Sequence, residues 1–473
     1  MKITHISVPY VYPLCPLNFN HTKMFVVADV YARHTASQNA GADDIVIFPI
    51  ASHFSGNTAQ STSLHILDYL SGVRNEKTIS VFGLYKDVYK VPTDILHEFT
   101  NPRFMMNHFN REIIWELKSL NVSCNYENAY TTESEEFASF AISLIRRYDK
   151  EGLLVRNENG DLALNYDEPK WRQETAALIA DTEILQPSQR KTIMSAFENL
   201  SNGWELLRNT GYGVKYDDEG LIIDPMFDSE LFMVFDLYVH WKNHYSEKIT
   251  NEPLFFEGLL RSLKMNDNVC EGFSEGEMNI VNGVLNSLPC DVFFGEEHLK
   301  NWIGKKFFAE QKLLHPLLRT VTYRILGMGL LEGKRMSASG GHAIFTRDLI
   351  NDYGGQITRL IILLSGGNVS RTYNYDRRLP ETAKKMLFNF TNYIASLKSN
   401  RFGGTQDGNV GEYSDYIDKL INDGRLERAT VELLVNIPAR NKKPCEGMRS
   451  KLLGFYGKYL NIFLPGCELC VMP

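Results

Sequence analysis

The sequence has few cysteines, no excess of positive charge and no long apolar run. Seven cysteines in 473 residues are too few and too scattered for a disulfide framework, so we expect a reducing compartment, and the cytoplasm fits best. The net charge of −7 has the wrong sign for a protein that binds a long polyanion by counterion release. No apolar run reaches the ~20 residues of a membrane-spanning helix, and the N-terminus lacks the apolar core of a signal peptide. We therefore expect neither a membrane protein nor an exported one.

The order of the apolar segments predicts an α/β fold. A chain of 473 residues exceeds what one hydrophobic core usually holds, so we expect about two or three structural units. Hydrophobic residues make up 44% of the chain, as in an ordinary globular protein. Residues 1–8 alternate polar and apolar side chains like a strand, and residues 24–34 fit a helix. Residues 44–49 have the pattern of a buried strand ended by proline. Together these three segments predict one βαβ unit.

The later segments extend this pattern. Residues 133–148 place apolar side chains on one helical face. Residues 289–295 look like a strand that ends at glycine, and a helical run over residues 296–312 follows. Residues 151–189 have a weaker pattern with a turn cluster, and we interpret them as an insertion. Beyond Pro380 the spacing of the apolar residues predicts a mainly helical C-terminal region.

The first segment that can carry chemistry is Tyr12–His21, between the first strand and its helix. A polar, turn-forming stretch that ends in histidine just before a helix can hold a phosphate, because the free N–H groups and the helix dipole both favour an anion. The alternative is that Asn20 merely caps the helix and that His21 is a surface residue in its first turn. The residues alone leave both interpretations open.

The second segment is Gly333–Gly341, which contains two cations, two hydroxyl groups and a glycine pair. Such a loop can close on a polyphosphate. The alternative is a solvated basic turn.

Two shorter segments also have open alternatives. At Gly295–His298 a strand end can present Glu297 to a ribose hydroxyl, although acidic residues are common at helix starts in any case. Cys467 and Cys470 have the spacing of metal ligands but no second pair nearby. Because structural zinc normally takes four ligands, we expect no structural zinc and no other metal site.

In order and spacing these segments resemble the catalytic core of class I aminoacyl-tRNA synthetases, most closely the leucyl-tRNA synthetases of the methionyl/leucyl group. The stretch from Tyr12 to Arg33 aligns with the family's first signature, which ends in His-Ile-Gly-His. Residues 335–339, Arg-Met-Ser-Ala-Ser, are similar to its Lys-Met-Ser-Lys-Ser loop. The resemblance runs, with gaps, from Ile3 to about Asp376, and its other matching segments are 48–56, 116–156, 227–229 and 295–298.

The resemblance implies a Rossmann-type parallel sheet of the class I synthetase (nucleotidylyl transferase-like) type, split by a short connective insertion and followed by a helical C-terminal region. The expected division is a first catalytic half over residues 1–150, a shortened connective insertion without an editing domain over 151–190, a second catalytic half over 191–310, a stem-contact-like region with the loop over 311–375 and a small helical domain over 376–473.

The resemblance also implies a chemistry and a set of site residues. Such enzymes bind ATP with Mg²⁺ and an amino acid, whose carboxylate attacks the α-phosphate to give an aminoacyl adenylate and pyrophosphate. Catalysis there is mainly positioning and charge stabilisation. By the match, the catalytic residues are His21, Lys334, Arg335, Ser337 and Ser339, the nucleotide-binding residues are Asn18, Asn20, His21, Gly295, Glu297, His298 and Met336, and the residues that bind the amino acid are Tyr12, His53 and Asp228.

Some positions depart from the family pattern in ways that affect the chemistry. The first signature reads Asn-Phe-Asn-His, so that Asn20 stands where glycine lets adenine lie against the backbone. Ala338 replaces the second lysine of the loop, and Arg335 replaces the first. Losing one preorganised charge contact commonly costs ~10²–10³ in rate. Trp302 stands where the family has histidine. We therefore expect displaced or excluded adenine and slow or absent activation.

Two segments of the family are missing or short in this sequence, which reduces the number of functions that we expect. Residues 151–189 are far too short for the family's editing domain, and the hundred or so residues after Asp376 form only a small version of its stem-binding region. With the negative net charge, we do not expect a whole tRNA as partner. Three interpretations remain: a truncated paralogue that activates a small, leucine-like amino acid outside translation for a small-molecule or carrier-protein acceptor, a catalytically degenerate binding or regulatory paralogue, or a genuine aminoacyl-tRNA ligase.

Overall fold

The computed structural model describes residues 2–38, 41, 44–184, 186–216, 220–300, 302–338, 340–399 and 408–467. The strands are β1 (Ile3–Ser7), β2 (Ile45–Ile47), β3 (Ala51–Ser52), β4 (Tyr130–Thr131), β5 (Leu154–Arg156), β6 (Leu162–Leu164), β7 (Glu183–Ile184), β8 (Leu207–Arg208), β9 (Ile222–Ile223), β10 (Cys290–Gly295), β11 (Thr322–Leu326), β12 (Gly329–Leu331), β13 (Lys334–Arg335) and β14 (Tyr373–Tyr375).

Helices account for most of the remaining structure. The α-helices are α1 (Phe19–Gln38), α2 (Asn57–Leu70), α3 (Glu76–Gly83), α4 (Thr93–Glu98), α5 (Pro102–Ser119), α6 (Glu135–Lys150), α7 (Trp171–Asp181), α8 (Pro187–Glu198), α9 (Phe232–Tyr245), α10 (Glu252–Met265), α11 (Glu275–Ser287), α12 (Ile303–Leu313), α13 (Thr346–Tyr353), α14 (Gly355–Gly366), α15 (Leu379–Lys398), α16 (Val410–Asn422), α17 (Leu426–Val431), α18 (Ile437–Arg440) and α19 (Glu446–Phe463). Short 3₁₀ turns span Tyr126–Asn128, Glu296–Leu299 and Pro316–Leu318, and π-turns span Leu84–Val88 and Glu432–Asn436.

A five-stranded parallel sheet forms the centre of the fold, in the order β2-β1-β10-β11-β7. Strand β10 is buried over most of its length, as expected for a parallel strand covered on both faces. The expected strands at 1–8, 44–49 and 289–295 correspond to β1, β2 and β10. The predicted α/β class with a parallel central sheet is therefore confirmed.

The sheet takes strands from four of the five segments into which we divided the sequence. Strands β1 and β2 lie in residues 1–150, β7 in 151–190, β10 in 191–310 and β11 in 311–375. The predicted insertion therefore supplies an edge strand, and the predicted stem-contact region supplies an inner one. The division itself stays a proposal.

Helices α2–α5 form a helical block between β3 and β4, within the predicted first catalytic half. The block has its own apolar core, in which aromatic rings such as Tyr85, Phe99 and Phe109 pack edge to face. This core also includes Leu14, from the segment before α1, and Phe345, from the segment before α13. The block therefore packs directly beside the start of α1.

The C-terminal region is helical, and it packs on α1 and α14. The Tyr31 hydroxyl donates a hydrogen bond to the Ile421 carbonyl at 2.7 Å, and the buried Arg359 guanidinium pairs with Asp29 of α1 at 2.5 Å. Helix α1 is therefore fixed between the sheet and the C-terminal helices. Among the described helices, none combines the length and the apolar character needed to cross a membrane.

Candidate active site

Helix α1 begins at Phe19, five residues before the expected helix, because Asn18 caps it. The Asn18 Oδ1 atom accepts hydrogen bonds from the backbone N–H groups of Asn20 at 3.0 Å and His21 at 3.2 Å. Such contacts satisfy N–H groups that a helix start otherwise leaves free. The alternative in which Asn20 caps the helix is therefore wrong, since Asn18 fills that position.

His21 lies close to the end of β10, where Glu297 and His298 sit in the 3₁₀ turn. Burial lowers the pKa of His21, and the nearby Glu297 carboxylate opposes this shift. A Cβ atom at Gly295 would overlap the Glu297 carboxylate, so glycine allows the Glu297 side chain to fold back over the strand end. The structure thus brings together the predicted phosphate and ribose residues.

The Asn20 side chain lies against β12 at Gly329. Its Oδ1 atom accepts a hydrogen bond from the Tyr373 hydroxyl at 2.7 Å, and a Cβ atom at Gly329 would overlap both side chains. The space beside the first turn of α1 is therefore filled by Asn20 and Tyr373 at this point. Nothing in the sequence motifs indicated a role for Tyr373.

Lys23 is a second residue that the sequence analysis missed. It is buried on α1, its Nζ atom donates to the Gly327 carbonyl at 3.2 Å, and it lies 4.5 Å from the centroid of the Tyr373 ring. Burial lowers its pKa to about 7, against the opposing effect of the Glu297 carboxylate. The sequence signal that could have identified Lys23 is that it is the only cation in the mainly apolar stretch Thr22–Ala28.

Of the residues predicted to bind the amino acid, Tyr12 and His53 line a cavity of about 440 Å³ at the carboxyl end of the sheet, and Asp228 lies behind His53 outside the lining. His53 Nε2 lies 2.9 Å from Asp228 Oδ1, and burial raises the pKa of that aspartate while His53 opposes the shift. Asp228 is fully buried beneath the histidine. The residues that line the cavity include Tyr10, Tyr12, His53, Trp204, Pro225, Met226, Phe232, His298 and Trp302.

The side of this cavity formed by Tyr10 is supported by a buried polar chain that the sequence analysis did not identify. The Tyr130 hydroxyl lies 2.9 Å from the Tyr10 hydroxyl and 2.7 Å from Asp236 Oδ1. The Ser7 hydroxyl donates to Asp236 Oδ2 at 3.3 Å. Burial raises the pKa of Asp236 to about 7.

The predicted phosphate loop is a tight turn at the end of the hairpin β12–β13. Lys334 and Arg335 are exposed on β13, whereas Met336 is buried and its N–H donates to the Gly329 carbonyl at 3.1 Å. Ser337 and His342 exchange backbone hydrogen bonds of 2.8 and 3.0 Å. Ser339, which we also assigned to this loop, lies outside the described residues.

The chain after this loop connects it to the start of α1. The Phe19 N–H donates to the Ile344 carbonyl and the Thr346 N–H to the Leu17 carbonyl, both at 2.9 Å. The loop and the His21 region are therefore neighbours in the fold. The structure groups the predicted site residues into one cavity, lined by Tyr12, His53 and His298, and one cluster around His21, while the loop cations Lys334 and Arg335 are exposed. Their individual roles stay predictions.

No group of three or more His, Cys, Asp or Glu side chains suited to a metal ion occurs in the part of the chain that the structure describes. Cys467 belongs to that part, and Cys470 lies outside it. The expectation of no structural zinc therefore stays a prediction.

The sequence is similar to leucyl-tRNA ligases over part of its length, although no family model matches it. Leucine–tRNA ligase 2 of Sulfolobus acidocaldarius is 26% identical over 151 residues, or 32% of this chain and 15% of the relative. Leucine–tRNA ligase of Methanopyrus kandleri is 30% identical over 155 residues, or 33% of this chain and 15% of the relative. The match thus spans about 15% of the length of these curated relatives.

The fold is similar to that of solved methionyl-tRNA synthetases. One structure of the Mycobacterium tuberculosis enzyme, in complex with methionyl-adenylate, has a TM-score of 0.64 at 12% identity and covers 98% of this chain and 92% of that one. A second structure of that enzyme bound by methionyl-adenylate has a TM-score of 0.58 at 12% identity, over 99% and 86%. The chain is class I aminoacyl-tRNA synthetase-like, which confirms the resemblance predicted from its motifs.

Proposed function

We propose that this class I synthetase-like chain binds ATP, with Mg²⁺, and a small amino acid, and that it forms or uses an aminoacyl adenylate outside translation. One observation supports the proposal above all others. Tyr12 and His53, assigned to the amino acid, and His298, assigned to the nucleotide, line the same cavity. An amino acid bound there lies next to the residues that would hold ATP.

The reaction would be an attack by the amino-acid carboxylate on the α-phosphorus of ATP, with pyrophosphate leaving. His21 would donate a hydrogen bond to the phosphates from the start of α1, and Glu297 would accept one from the ribose. The exposed Lys334 and Arg335 would close on the leaving pyrophosphate. Each role is one of positioning and charge stabilisation, which is how such phosphoryl chemistry is usually accelerated.

The walls of the cavity favour an apolar amino-acid side chain. Pro225, Met226, Phe232 and Trp302 contribute carbon surface, and the Phe232 and Trp302 rings lie 5.8 Å apart. Burying apolar surface of the ligand against them is favourable by ~25 cal/mol per Å². A leucine-sized side chain suits this lining, so a small, leucine-like amino acid is our proposed substrate.

The acceptor of the aminoacyl group is proposed to be a small molecule or a carrier protein. A chain with a net charge of −7 has no overall attraction for a whole tRNA. A cytoplasmic location, a truncated architecture relative to the leucyl enzymes and the absence of a structural zinc belong to the same proposal.

A second candidate function is that of a binding or regulatory protein without adenylate chemistry. The contact between Asn20 and Tyr373 favours it, because these side chains fill the position beside α1 where the family has glycine. Ala338 favours it as well, because the loop lacks one of the family's two lysines.

Amino-acid-dependent exchange of pyrophosphate into ATP tests the proposal, with leucine as the first amino acid. We expect exchange without tRNA, and its loss in His53→Ala, whereas His97→Ala, an exposed histidine on α4, leaves it unchanged. Thermal stabilisation by an amino acid without exchange would support the second candidate. Neither exchange nor stabilisation with any of the twenty amino acids would reject both.

A further inference from the structure

A larger cavity, of about 810 Å³, lies beside the amino-acid cavity. It is formed by one face of α8, by Asn199, Leu200, Ser201, Gly203 and Trp204 after that helix, and by Lys300 and Lys305. Trp204 lines both cavities and forms a shared wall. No residue assigned to ATP or to the amino acid lines this second cavity.

The second cavity is cationic, although the chain as a whole is acidic. Lys191, Lys300 and Lys305 line it, and no carboxylate does so among its described lining residues. Thr192 and Ser195, one turn apart on α8, add hydroxyl groups. A concave surface lined by one sign of charge concentrates ligands of the opposite sign.

Lys305 is the most informative of these lysines, because it is 1% exposed. Its Nζ atom has no hydrogen-bond acceptor among the described residues, and it lies 3.1 Å from the centroid of the Trp204 ring. A buried ammonium group that lacks acceptors is costly to the fold. An anion bound in the cavity would supply the missing acceptor.

The acidic residues behind Lys305 are already engaged. Asp224 is paired with Arg208, and Glu230 accepts a hydrogen bond from the Tyr148 hydroxyl at 3.0 Å. Burial lowers the pKa of Lys305 to about 8, against the opposing effect of these two carboxylates. The lysine therefore remains mainly charged at neutral pH.

We propose that this second cavity binds the phosphate group of a small molecule, held by Lys305 at its base and by the exposed Lys191 and Lys300 at its rim. Three ammonium groups match a compact dianion better than a singly charged group. The proposal goes beyond the proposed function, because it concerns a ligand other than ATP and the amino acid and does not require adenylate chemistry.

The test is a calorimetric titration of the full chain with inorganic phosphate and with glycerol 3-phosphate, at constant ionic strength. We expect saturable binding that Lys305→Met weakens by roughly tenfold or more, because it loses a charged hydrogen bond. Tighter binding of glycerol 3-phosphate identifies a phosphorylated small molecule, and equal binding identifies free phosphate. Either result supports the phosphate site.

Two sets of variants keep the test decisive. The double variant Lys191→Met and Lys300→Met changes only exposed side chains, so we expect it to fold. Because both lysines line the cavity, we expect it to weaken binding, and it therefore tests the site even if Lys305→Met does not fold. Lys442→Met, at an exposed lysine outside the cavity, leaves the affinity unchanged. Absence of saturable binding would overturn the proposal, and so would wild-type affinity in the double variant together with its loss in His21→Ala. Pyrophosphate exchange does not enter this test, so failure of the proposed function is recognised separately.

Discussion

Asp236 of α9 provides a prediction whose size follows from the structure. Its carboxyl group is buried between the hydroxyls of Tyr130 and Ser7, and no salt bridge reaches it within the described ranges. Burial raises its pKa from 3.8 to about 7. The substitution Asp236→Asn keeps the shape and the hydrogen-bonding capacity of the protonated acid, but it carries no charge at any pH.

The sign of the effect follows from proton binding. Between about pH 4 and pH 7 the folded protein retains a proton that the unfolded chain has already lost, so its stability falls as the pH rises. Raising a pKa from 3.8 to about 7 costs the folded state about 4 kcal/mol once the carboxyl is ionised in both states. About 3 kcal/mol of this loss of stability occurs between pH 5 and pH 8, because the remainder has already occurred below pH 5.

Comparing the wild type with Asp236→Asn separates the effect of Asp236 from the effects of other buried titratable groups. Burial lowers the pKa of His5 to about 3, so His5 makes the stability rise with pH below about 6.5 in both proteins. Burial raises the pKa values of Tyr10, Tyr130 and Cys124, which therefore stay neutral over this range. Only Asp236 differs between the wild type and the variant.

Urea denaturation at pH 5, 6.5 and 8 measures the difference in unfolding free energy. We expect the stability of Asp236→Asn relative to the wild type to increase by about 3 kcal/mol from pH 5 to pH 8. Asp352→Asn, at an exposed aspartate of α13, is the control. A difference between wild type and Asp236→Asn that stays constant over this range would refute the reasoning.

Three further predictions concern α1 and the loop. Asn20→Gly should tighten ATP binding about fivefold in calorimetry, since a Tyr373 hydrogen bond worth about 1 kcal/mol no longer has to be broken. An unchanged affinity would mean that Asn20 does not hinder ATP binding. Ala338→Lys should raise the rate of pyrophosphate exchange by up to about 100-fold, and an unchanged rate would mean that ATP does not enter. Arg359→Met should lower the unfolding free energy by about 2–3 kcal/mol, because Asp29 keeps its pair with Arg33 but the buried carbonyls of Leu120 and Phe463 lose their donor; a loss below about 1 kcal/mol would contradict this.

The sequence was most informative where a single segment determines its own structure. Strands β2 and β10 were predicted because each is a short apolar run next to a proline or a glycine, and β1 because its polar and apolar side chains alternate. Strand β7 has only two residues, and it is a strand because it pairs with β11. Such an element depends on distant pairing and leaves almost no local pattern.

The residues of the candidate site likewise divide into those that a local motif predicts and those that only distant contacts reveal. Tyr12, His53 and His298 could be predicted as site residues because they belong to motifs with a characteristic order. Tyr373 was not found, because its contact with Asn20 joins positions 353 residues apart. Asp236 was missed for a similar reason, since a buried aspartate becomes informative only when its hydroxyl partners are known.

The departures from the family pattern differ in the size of their expected effects. Adenine placed beside Gly329 would have to displace the hydrogen bond between Asn20 and Tyr373, at a cost of about 1 kcal/mol. Even a weak nucleotide site with a dissociation constant of about 1 mM has a binding free energy of about −4 kcal/mol, so this contact would weaken the proposed ATP binding without abolishing it. The missing lysine at Ala338 costs ~10²–10³ in rate, or about 3–4 kcal/mol in the barrier. Within the proposed function, these magnitudes predict that the loss at Ala338 would slow the reaction more than the Asn20 contact would weaken ATP binding.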